Sequence, residues 1–356
     1  MKQGIFMKRI CIVIDSISNS GGTDRVACNI SQMFVKNGFS TTVYCMNIGS
    51  PYYHFNKDVQ LSGAKSKGRI NKLLECVSFV KKGCFDYIIV ISMGRLSAQI
   101  LPLFKLTKIK SKLICSDHVS IRSFPKIIQA IKCFAYKCSD AVVVLTDDDR
   151  SYLSNFIKSS CVSTVRNSSS FEYDTYSTDD ISLKEKIVLG VGRLTYQKNF
   201  MRLINIWKNI DTNGWRLCIV GDGEERKEIL TFCRQNGIDN VEVYEATNNI
   251  DSWYKKSSAL AMTSRYEGLP MVLIEAKNFG VPAIAFDCQT GPVEIIDNDG
   301  YVIDYDDDKE YGNKLSQILH DPQLRQKLSR CALENSKQYT TANIYQQWMT
   351  VFNSIQ

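Results

Sequence analysis

Residues 216–235 read Arg-Leu-Cys-Ile-Val-Gly-Asp-Gly-Glu-Glu-Arg-Lys-Glu-Ile-Leu-Thr-Phe-Cys-Arg-Gln and carry the main signal for the fold. The apolar run Arg216–Val220 predicts a buried strand, and the spacing of apolar residues predicts a helix over 225–235. Gly221 and Gly223 between them allow a tight turn close to a ligand. Arg226 stands where a dinucleotide fingerprint has its third glycine, so a purely structural turn is an equal alternative.

The same alternation of strand and helix runs through the chain on both sides of this stretch. Further strands are predicted at 9–14, 41–46, 87–92, 112–116, 141–145, 186–191, 241–244, 259–262 and 283–286. Helices are predicted at 23–36, 199–209, 270–278 and, as a terminal amphipathic segment, 340–355. Such alternation is typical of parallel sheets covered on both faces.

A polar, aperiodic stretch at 166–180 interrupts the pattern and predicts a linker. We therefore expect an α/β protein with two doubly wound, Rossmann-like domains, 1–167 and 168–340. The carboxyl ends of their strands should face a central cleft, where ligands bind in such folds.

Composition narrows the class of protein. The 356-residue chain has 44% hydrophobic and 23% charged residues, a composition typical of globular proteins. The longest apolar runs are far shorter than the ~20 residues that span a bilayer. They are also too short for the apolar core of a signal peptide. An odd number of cysteines, 13, argues against a disulfide framework, and three scattered histidines argue against zinc. These features predict a soluble, cytoplasmic protein without a bound metal.

The net charge of +7 is unevenly distributed. Residues 1–167 hold 24 Lys+Arg and 10 Asp+Glu, and residues 168–356 hold 20 and 27, so the halves carry +14 and −7. A basic amino-terminal half indicates an anionic partner there, such as a membrane surface or a phosphorylated substrate. Nucleic acid is the weaker option, because no nucleic-acid-binding motif is present.

Two motifs in the second half suit a nucleoside diphosphate. In Gly190-Val-Gly-Arg-Leu-Thr-Tyr-Gln-Lys-Asn199, the cations Arg193 and Lys198 bracket the start of a helix that Asn199 can cap. In Ser264-Arg-Tyr-Glu-Gly-Leu-Pro-Met-Val-Leu-Ile-Glu-Ala276, we expect Pro270 at the first helical position. The N–H groups of Met271 and Val272 would then be available to a phosphate.

Glu267 and Glu275 are spaced by eight residues, about 12 Å along a helix, roughly the span from a ribose to a sugar on the β-phosphate. The alternatives to a donor-binding role are that Arg193 and Lys198 are ordinary surface cations, and that the two glutamates stabilise the helix dipole or lie on the surface.

Three further segments follow predicted strands. Ser18-Asn-Ser-Gly-Gly-Thr-Asp-Arg25 places Gly21 and Gly22 where a ligand can approach the backbone. His118, in Ser116-Asp-His-Val119, would project into the cleft, although a lone histidine is often structural. Gln289-Thr-Gly-Pro-Val-Glu-Ile-Ile296 has the chemistry of a turn.

Taken in order, four motifs resemble those of the retaining glycosyltransferases of family four, which have the two-Rossmann GT-B fold. The motifs are Gly-Gly-Thr-Asp-Arg-Val, Val-Gly-Arg-Leu-x-x-Gln-Lys-Asn, Val-Gly-Asp-Gly-x-Glu-Arg and Tyr-Glu-Gly-Leu-Pro-Met-Val-x-x-Glu-Ala. The resemblance covers essentially the whole chain. It also implies that the terminal helix, 341–356, crosses back onto the first domain, with Trp348 packed there.

The resemblance implies a role for each matched residue. Arg193 and Lys198 hold the donor diphosphate, Glu275 binds the ribose, and Glu267 lies beside the donor sugar with His118. The other implied donor contacts are Gly21, Gly22, Gly192, Gly221, Gly223, Gly268, Leu269, Pro270, Met271 and Val272. Asp117 in Ser-Asp-His replaces the Glu of some polysaccharide members.

The resemblance thus implies sugar transfer from a nucleotide-sugar, a UDP-sugar above all, to a glycan or lipid-linked glycan of bacterial surface polysaccharide. The nucleotide-sugar is a co-substrate, and no cofactor or metal is expected. The enzyme would work in the cytoplasm or peripherally on the inner membrane face. The rival readings are a nucleotide-sugar 2-epimerase and a non-catalytic scaffold. A dehydrogenase would need the dinucleotide fingerprint that is missing.

Overall fold

The computed structural model describes residues 7–19, 21–171, 184–288 and 290–356. The chain forms two compact units. The first consists of the described residues up to Ser168 together with Thr341–Gln356, and the second is Ser169–Thr340. The predicted linker at 166–180 overlaps this division, although residues 172–180 lie outside the described part.

The first unit is built on a seven-stranded parallel sheet. Its strands are β1 (Arg9–Ile14), β2 (Ser40–Cys45), β3 (Gln60–Gly63), β4 (Tyr87–Ser92), β5 (Lys112–Asp117), β6 (Ala141–Val144) and β7 (Val162–Thr164), in the order β3-β2-β1-β4-β5-β6-β7. Every described strand pair is parallel. The central strands are buried almost throughout, as expected for a sheet covered on both faces.

The described residues of this unit form six α-helices: α1 (Gly22–Lys36), α2 (Arg69–Gly83), α3 (Arg95–Leu106), α4 (Lys126–Tyr136), α5 (Asp147–Leu153) and α13 (Thr341–Ser354). The terminal helix α13 packs on α1 and on the start of β4. Trp348 lies edge-on to Phe34 with 5.8 Å between ring centroids, and Phe352 stacks on Tyr87 at 4.2 Å. The predicted return of the terminal helix to the first domain is confirmed.

The second unit has a six-stranded parallel sheet. Its strands are β8 (Ile187–Val191), β9 (Arg216–Val220), β10 (Val241–Tyr244), β11 (Ala259–Met262), β12 (Ala283–Phe286) and β13 (Gly300–Ile303), in the order β10-β9-β8-β11-β12-β13. Its helices are α6 (Phe200–Lys208), α7 (Arg226–Gln235), α8 (Asp251–Lys256), α9 (Met271–Asn278), α10 (Pro292–Ile295), α11 (Asp308–His320) and α12 (Pro322–Ser336).

Strand order reverses direction once in each sheet, between β1 and β4 and between β8 and β11. In doubly wound sheets, ligands bind beyond the carboxyl ends of the strands at this switch point. The predicted architecture of two Rossmann-like domains is confirmed, and the switch points mark where a site should be sought in each unit.

The described strands also include three that the apolar pattern did not predict: β3, β7 and β13. All three are short, and each lies at or next to the end of its sheet order. Edge strands need fewer apolar residues because one side has no neighbour, so their sequences lack the continuous apolar run of the central strands.

Candidate active site

The loops that follow β8 and β11 are joined by side-chain and backbone hydrogen bonds. Arg265 N donates to the carbonyl of Gln197 (2.8 Å), and Gln197 Nε2 donates to the carbonyl of Tyr266 (3.0 Å). Thr263 Oγ1 donates to the carbonyl of Asn199 (3.0 Å). The two predicted phosphate-binding and carboxylate-bearing segments therefore form one cluster at the switch point of the second sheet.

Lys198 and Glu267 form an ion pair inside this cluster. Lys198 Nζ lies 2.6 Å from Glu267 Oε1, and their side chains are only 17% and 9% exposed. Gly192, at φ +150, leaves room for the aliphatic part of Lys198, because a Cβ there would lie 3.0 Å from Lys198 Cε. Arg193 is exposed in the same loop, and its guanidinium has no ion pair among the described residues.

Asn199 behaves differently from the prediction. It occupies the N-cap position of α6 in a left-handed conformation, but its side chain makes no capping hydrogen bond. Its Oδ1 instead accepts from Arg265 Nη2 (3.1 Å), and Arg265 Nε also donates to the carbonyl of Tyr196 (3.1 Å). Arg265 thus fastens the two loops together, a role that the motif did not reveal.

Gly221 and Gly223 are required by the crossing of two loops. A Cβ on Gly221 would overlap the carbonyl of Gly192, and one on Gly223 would overlap the backbone of Leu194. Leu194 N donates to the carbonyl of Asp222 at 2.9 Å. The structural reading, offered as the alternative from sequence, accounts for both glycines, and their predicted contact with a donor stays a prediction.

Arg226 replaces the third glycine of the fingerprint and closes this turn. Its guanidinium donates to the carbonyls of Gly221 (3.3 Å), Tyr244 (3.2 Å) and Val243 (3.1 Å). These carbonyls lie at the carboxyl ends of β9 and β10. An arginine that caps strand ends in this way leaves less room at the turn than a glycine would.

The segment from Glu267 to Met271 leads into α9. Pro270 is the N-cap residue and α9 begins at Met271, so the predicted start is displaced by one residue. Gly291, at φ +97, packs on this segment, since a Cβ there would lie 2.5 Å from the carbonyl of Gly268. Thr290 Oγ1 donates to the carbonyl of Glu267 (2.9 Å), which fixes the backbone beside the ion pair.

The other predicted donor contacts lie along this segment and the first turn of α9. Leu269 and Met271 are buried, whereas Gly268 and Val272 are half-buried. The first N–H groups of a helix have no intrahelical acceptor, so those of Met271 and Val272 can bind an anion. Their contact with a phosphate stays a prediction.

Glu275 lies on α9 and is 2% exposed. Its Oε2 accepts from Tyr254 Oη (2.9 Å) and its Oε1 from Ser170 Oγ (3.2 Å). The predicted contact of this carboxylate with the ribose hydroxyls stays a prediction. The structure brings Lys198 and Glu267 together and holds Glu275 in a separate hydrogen-bonded environment.

In the first unit, Gly21 and Gly22 follow β1 and begin α1. Gly21 is the N-cap residue with φ −76, and a Cβ on Gly22 would have no atom within 4 Å. Neither backbone conformation nor packing within the described chain requires glycine at Gly22. This freedom agrees with the predicted close approach of a ligand, which stays a prediction.

His118 directly follows β5 and is buried. Its backbone N–H donates to the carbonyl of Ser92 (2.8 Å), and its ring Nε2 lies 3.0 Å from Ser116 Oγ. Burial lowers the pKa of His118 to about 4, so the imidazole is neutral near pH 7. A neutral imidazole can donate one hydrogen bond and accept another, but it does not supply a charge.

A buried ion pair next to His118 was missed from the sequence. Lys132 Nζ on α4 lies 2.6 Å from Asp117 Oδ2, and both side chains are almost inaccessible. Tyr136, one turn further along α4, donates its hydroxyl to the same carboxylate. Gln129, Lys132 and Tyr136 share one helical face, and this spacing is the signal that could have indicated a polar, inward-facing side of α4.

The described residues contain no group of three or more His, Cys, Asp or Glu side chains arranged to hold a metal ion. Within the same ranges, no helix combines the length and apolar composition needed to cross a bilayer.

Comparison with known proteins places these features in a family. Residues 178–334 match the model of the family described as glycosyl transferases group 1. The chain is 44% identical to the amylovoran biosynthesis glycosyltransferase AmsD of Erwinia amylovora, over 98% of this chain and 100% of AmsD.

A second relative and one solved structure extend the comparison. The chain is 26% identical, over 98% of its own length and 99% of the relative's, to a Campylobacter jejuni α-1,4-N-acetyl-D-galactosaminyltransferase. The name of that enzyme specifies a glycan linked to undecaprenol through a diphosphate. The crystal structure of Anabaena HepE in complex with UDP and glucose is similar in fold, with a TM-score of 0.79 at 17% identity over 98% of this chain and 100% of HepE. Because a relative matches along its full length at 44% identity, the chain belongs to the group 1 glycosyltransferases.

Proposed function

We propose that this glycosyltransferase moves a sugar, with retention of anomeric configuration, from a UDP-sugar to a hydroxyl of a lipid-linked or growing surface-polysaccharide glycan. The observation that carries the proposal is the Lys198–Glu267 ion pair, held at the switch point of the second sheet beside the exposed Arg193. The names of AmsD and of the Campylobacter relative support a polysaccharide or lipid-linked acceptor.

The chemistry follows from where charge develops. When the bond between the anomeric carbon and the β-phosphate oxygen breaks, its electron pair leaves with the diphosphate. Arg193 and Lys198 can stabilise that charge, and so can the first N–H groups of α9. Fixed cations at the leaving group supply the role that a divalent metal has in other transferases, so we expect metal-independent transfer.

Glu267 has two functions in this proposal. Its carboxylate holds Lys198 in place before the donor arrives. We also expect it to lie beside the donor sugar, as the resemblance implies. As the anomeric carbon gains positive charge, a nearby carboxylate stabilises it. Glu275, in its separate environment, would bind the ribose hydroxyls.

We further propose that α4 brings the enzyme to an anionic membrane surface. Its outward face is apolar: Ile127, Ile131 and Phe134 are 74%, 51% and 64% exposed, and the buried positions are Gln129, Lys132, Ala135 and Tyr136. An ordinary surface helix has the opposite arrangement. Lys126 and Lys137 flank the apolar face and are exposed, which suits negatively charged headgroups.

The structure corrects the charge distribution expected for this surface. Lys132, one of the lysines that made the first half basic, is paired with Asp117 in the interior and cannot meet a membrane. On α2, Leu73 and Val77 are buried as in a core-packed helix. The apolar face of α4 is therefore the surface to which we assign membrane contact.

The donor site is tested by calorimetry with UDP. Replacing both Arg193 and Lys198 by Ala removes two charge-assisted contacts, each worth about 1.5–3 kcal/mol, or roughly 10- to 100-fold in affinity. The matched control is Lys309→Ala with Lys327→Ala, which removes two exposed lysines from helices of the same unit. Normal UDP affinity in the Arg193/Lys198 variant would refute the assignment.

The type of reaction is tested with a panel of nucleotide-sugars and a lipid-linked acceptor. We expect labelled sugar to appear in the acceptor only, with its anomeric configuration unchanged by NMR. Interconversion of the nucleotide-sugar without an acceptor would indicate an epimerase instead. UDP binding without turnover of any donor would indicate a non-catalytic partner.

A further inference from the structure

A cavity of about 660 Å³ opens at the amino-terminal ends of strands β1, β4 and β5 of the first sheet. Five lysines line it: Lys8, Lys81, Lys108, Lys110 and Lys112. Its apolar lining includes Val80, Phe85 and Ile109. The volume is in the range of pockets that hold small organic ligands.

The positive charge of this cavity is not balanced by the protein around it. Lys8 donates to the hydroxyl of Tyr87 (3.1 Å), and in the described part of the chain none of the other four lysines belongs to an ion pair. Asp86 is the one acidic side chain in the lining, and its Oδ2 accepts from the backbone N–H of Arg9 (2.7 Å). Clustered ammonium groups repel one another, and a bound anion would relieve that repulsion.

Two wall residues have backbone conformations that favour glycine. Cys84 follows α2 at φ +48, and Lys108 follows α3 at φ +49. A side chain in this region costs about 1 kcal/mol, and glycine at both helix ends would avoid that cost. The chain instead places a lysine and a thiol at these two turns, both facing the same cavity.

The location separates this cavity from the predicted site residues of the first unit. Its walls include residues at or next to the starts of β1, β4 and β5, whereas Gly21 and His118 follow the ends of β1 and β5. A strand of six residues spans about 20 Å at ~3.3 Å per residue. A ligand in the cavity would therefore lie on the opposite edge of the sheet from those residues.

We propose that this cavity binds a phosphate ester, with the lysines around the phosphate and a sugar ring or lipid carbon against Ile109, since Val80 and Phe85 are only 1% and 6% exposed. Lysine binds phosphate as a mobile point charge, so several of them suit a multiply charged group without a fixed geometry. The proposal concerns a second site in the first unit and does not depend on the donor site in the second.

Cys84 provides a reporter at the cavity itself. Its thiol is exposed, and the other twelve free cysteines are buried or half-buried. The experiment measures the rate of Cys84 alkylation by iodoacetamide, peptide by peptide, by mass spectrometry. The probes are glucose 1-phosphate, pyrophosphate, and vesicles of phosphatidylglycerol compared with phosphatidylcholine. At a probe concentration about ten times its dissociation constant, the rate should fall about tenfold, while alkylation of Cys331 stays unchanged.

Matched variants decide the outcome. Lys110→Gln with Lys112→Gln should abolish protection of Cys84, and Lys57→Gln with Lys158→Gln, which removes two exposed lysines elsewhere in the unit, should retain it. Protection should persist in the Arg193→Ala/Lys198→Ala variant, which separates this site from the donor site. Protection by glucose 1-phosphate identifies a soluble ester, and protection by phosphatidylglycerol vesicles alone identifies a headgroup. No protection by any probe, or equal protection in the Lys110/Lys112 variant, would overturn the proposal.

Discussion

Glu267 and Glu275 differ in environment more than their shared motif suggests. Glu267 is paired with Lys198, whereas Glu275 is hydrogen-bonded to Tyr254 and Ser170. We expect Glu275→Gln to weaken UDP binding, because an amide oxygen accepts ribose hydroxyls less strongly than a carboxylate. Glu267→Gln should leave UDP affinity nearly unchanged and lower turnover.

Calorimetry with UDP and initial rates at saturating donor measure the two effects separately. Thermal melting of both variants is the necessary control, because Glu275 is buried and its replacement alters the Tyr254 and Ser170 hydrogen bonds. If the two variants lose affinity and rate in the same proportion, the division of roles is wrong.

His118 makes stability depend on pH. Its pKa is lowered by burial to about 4, against about 6.5 in an unfolded chain. Below that unfolded value the unfolded chain binds more protons, so the free energy of unfolding decreases as pH falls from about 6.5 to about 4. The loss attributable to His118 should be about 2 kcal/mol between about pH 7 and pH 5.

Urea unfolding at the two pH values measures this loss. His118→Gln should reduce it, and the exposed His54→Gln should not. An identical pH dependence in the wild type and His118→Gln would show that the imidazole is not held in its neutral form.

Individual residues were predictable from the sequence where their chemistry is local. The motifs singled out Lys198 and Glu267 as candidate site residues, and the structure places the two side chains together. Their contacts with a donor stay predictions. The structural roles of Arg226, Arg265 and Lys132 were not predicted, because each has a partner that the folded chain brings from another element. Long-range pairs of this kind have no signature in residue spacing.

At the scale of elements, the crossing of the β8 and β9 loops predicts a contrast between two glycines. Gly223→Ala forces a methyl group against the backbone of Leu194, and overpacking of this kind costs about 1–3 kcal/mol. Gly22→Ala meets no neighbour and should leave the melting temperature unchanged or slightly raised.

The second substitution should nonetheless reduce turnover if substrate approaches the Gly22 backbone. Differential scanning calorimetry and initial rates on both variants give the comparison. A Gly22→Ala enzyme with normal kinetics would remove Gly22 from the predicted site, whereas an unchanged melting temperature in Gly223→Ala would contradict the crossing geometry.

Helix α4 leads to a prediction about vesicles. With Ile127 and Ile131 replaced by Ser, co-sedimentation with phosphatidylglycerol vesicles should be lost, because the apolar contact area and its insertion are removed. Ile70→Ser with Leu74→Ser is the matched control, since it replaces two exposed apolar residues of α2. Binding should weaken with salt.

Three results would count against the α4 assignment. They are equal sedimentation with neutral vesicles, no sedimentation of the wild type, and loss of binding in the α2 control alone. In each case the basic half of the chain would need another partner.

The central elements were predicted well because burial on both faces imposes continuous apolar runs such as those of β4 and β9. The edge strand β10 was predicted at its observed bounds, but the edge strands β3, β7 and β13 and the outward apolar face of α4 were not, for one shared reason. Their pattern depends on what lies outside them: solvent at the edges of the sheets, and a polar interior contact beneath α4. These surroundings cannot be inferred from the residue pattern of a single sequence.

At the scale of the whole molecule, the two units divide the charge as the sequence indicated, and the cations beside Glu267 belong to the second. Because Arg193 and Lys198 are permanent parts of the protein, transfer should persist in EDTA at its full rate. The assay is donor turnover before and after chelation and desalting. Complete inhibition that manganese reverses would contradict metal independence.

The return of α13 to the first unit has a consequence for how the protein is made. Residues 169–340 lie between the two parts of the first unit in the sequence. Phe34, Phe39 and Tyr87 therefore cannot contact the aromatic side chains of α13 until the whole second unit has left the ribosome. During that interval the nascent amino-terminal half presents an uncovered aromatic surface, which exposes it to chaperones and to self-association. A chain stopped after Thr340 should remain in that state and aggregate, even though it retains every residue assigned to the donor site.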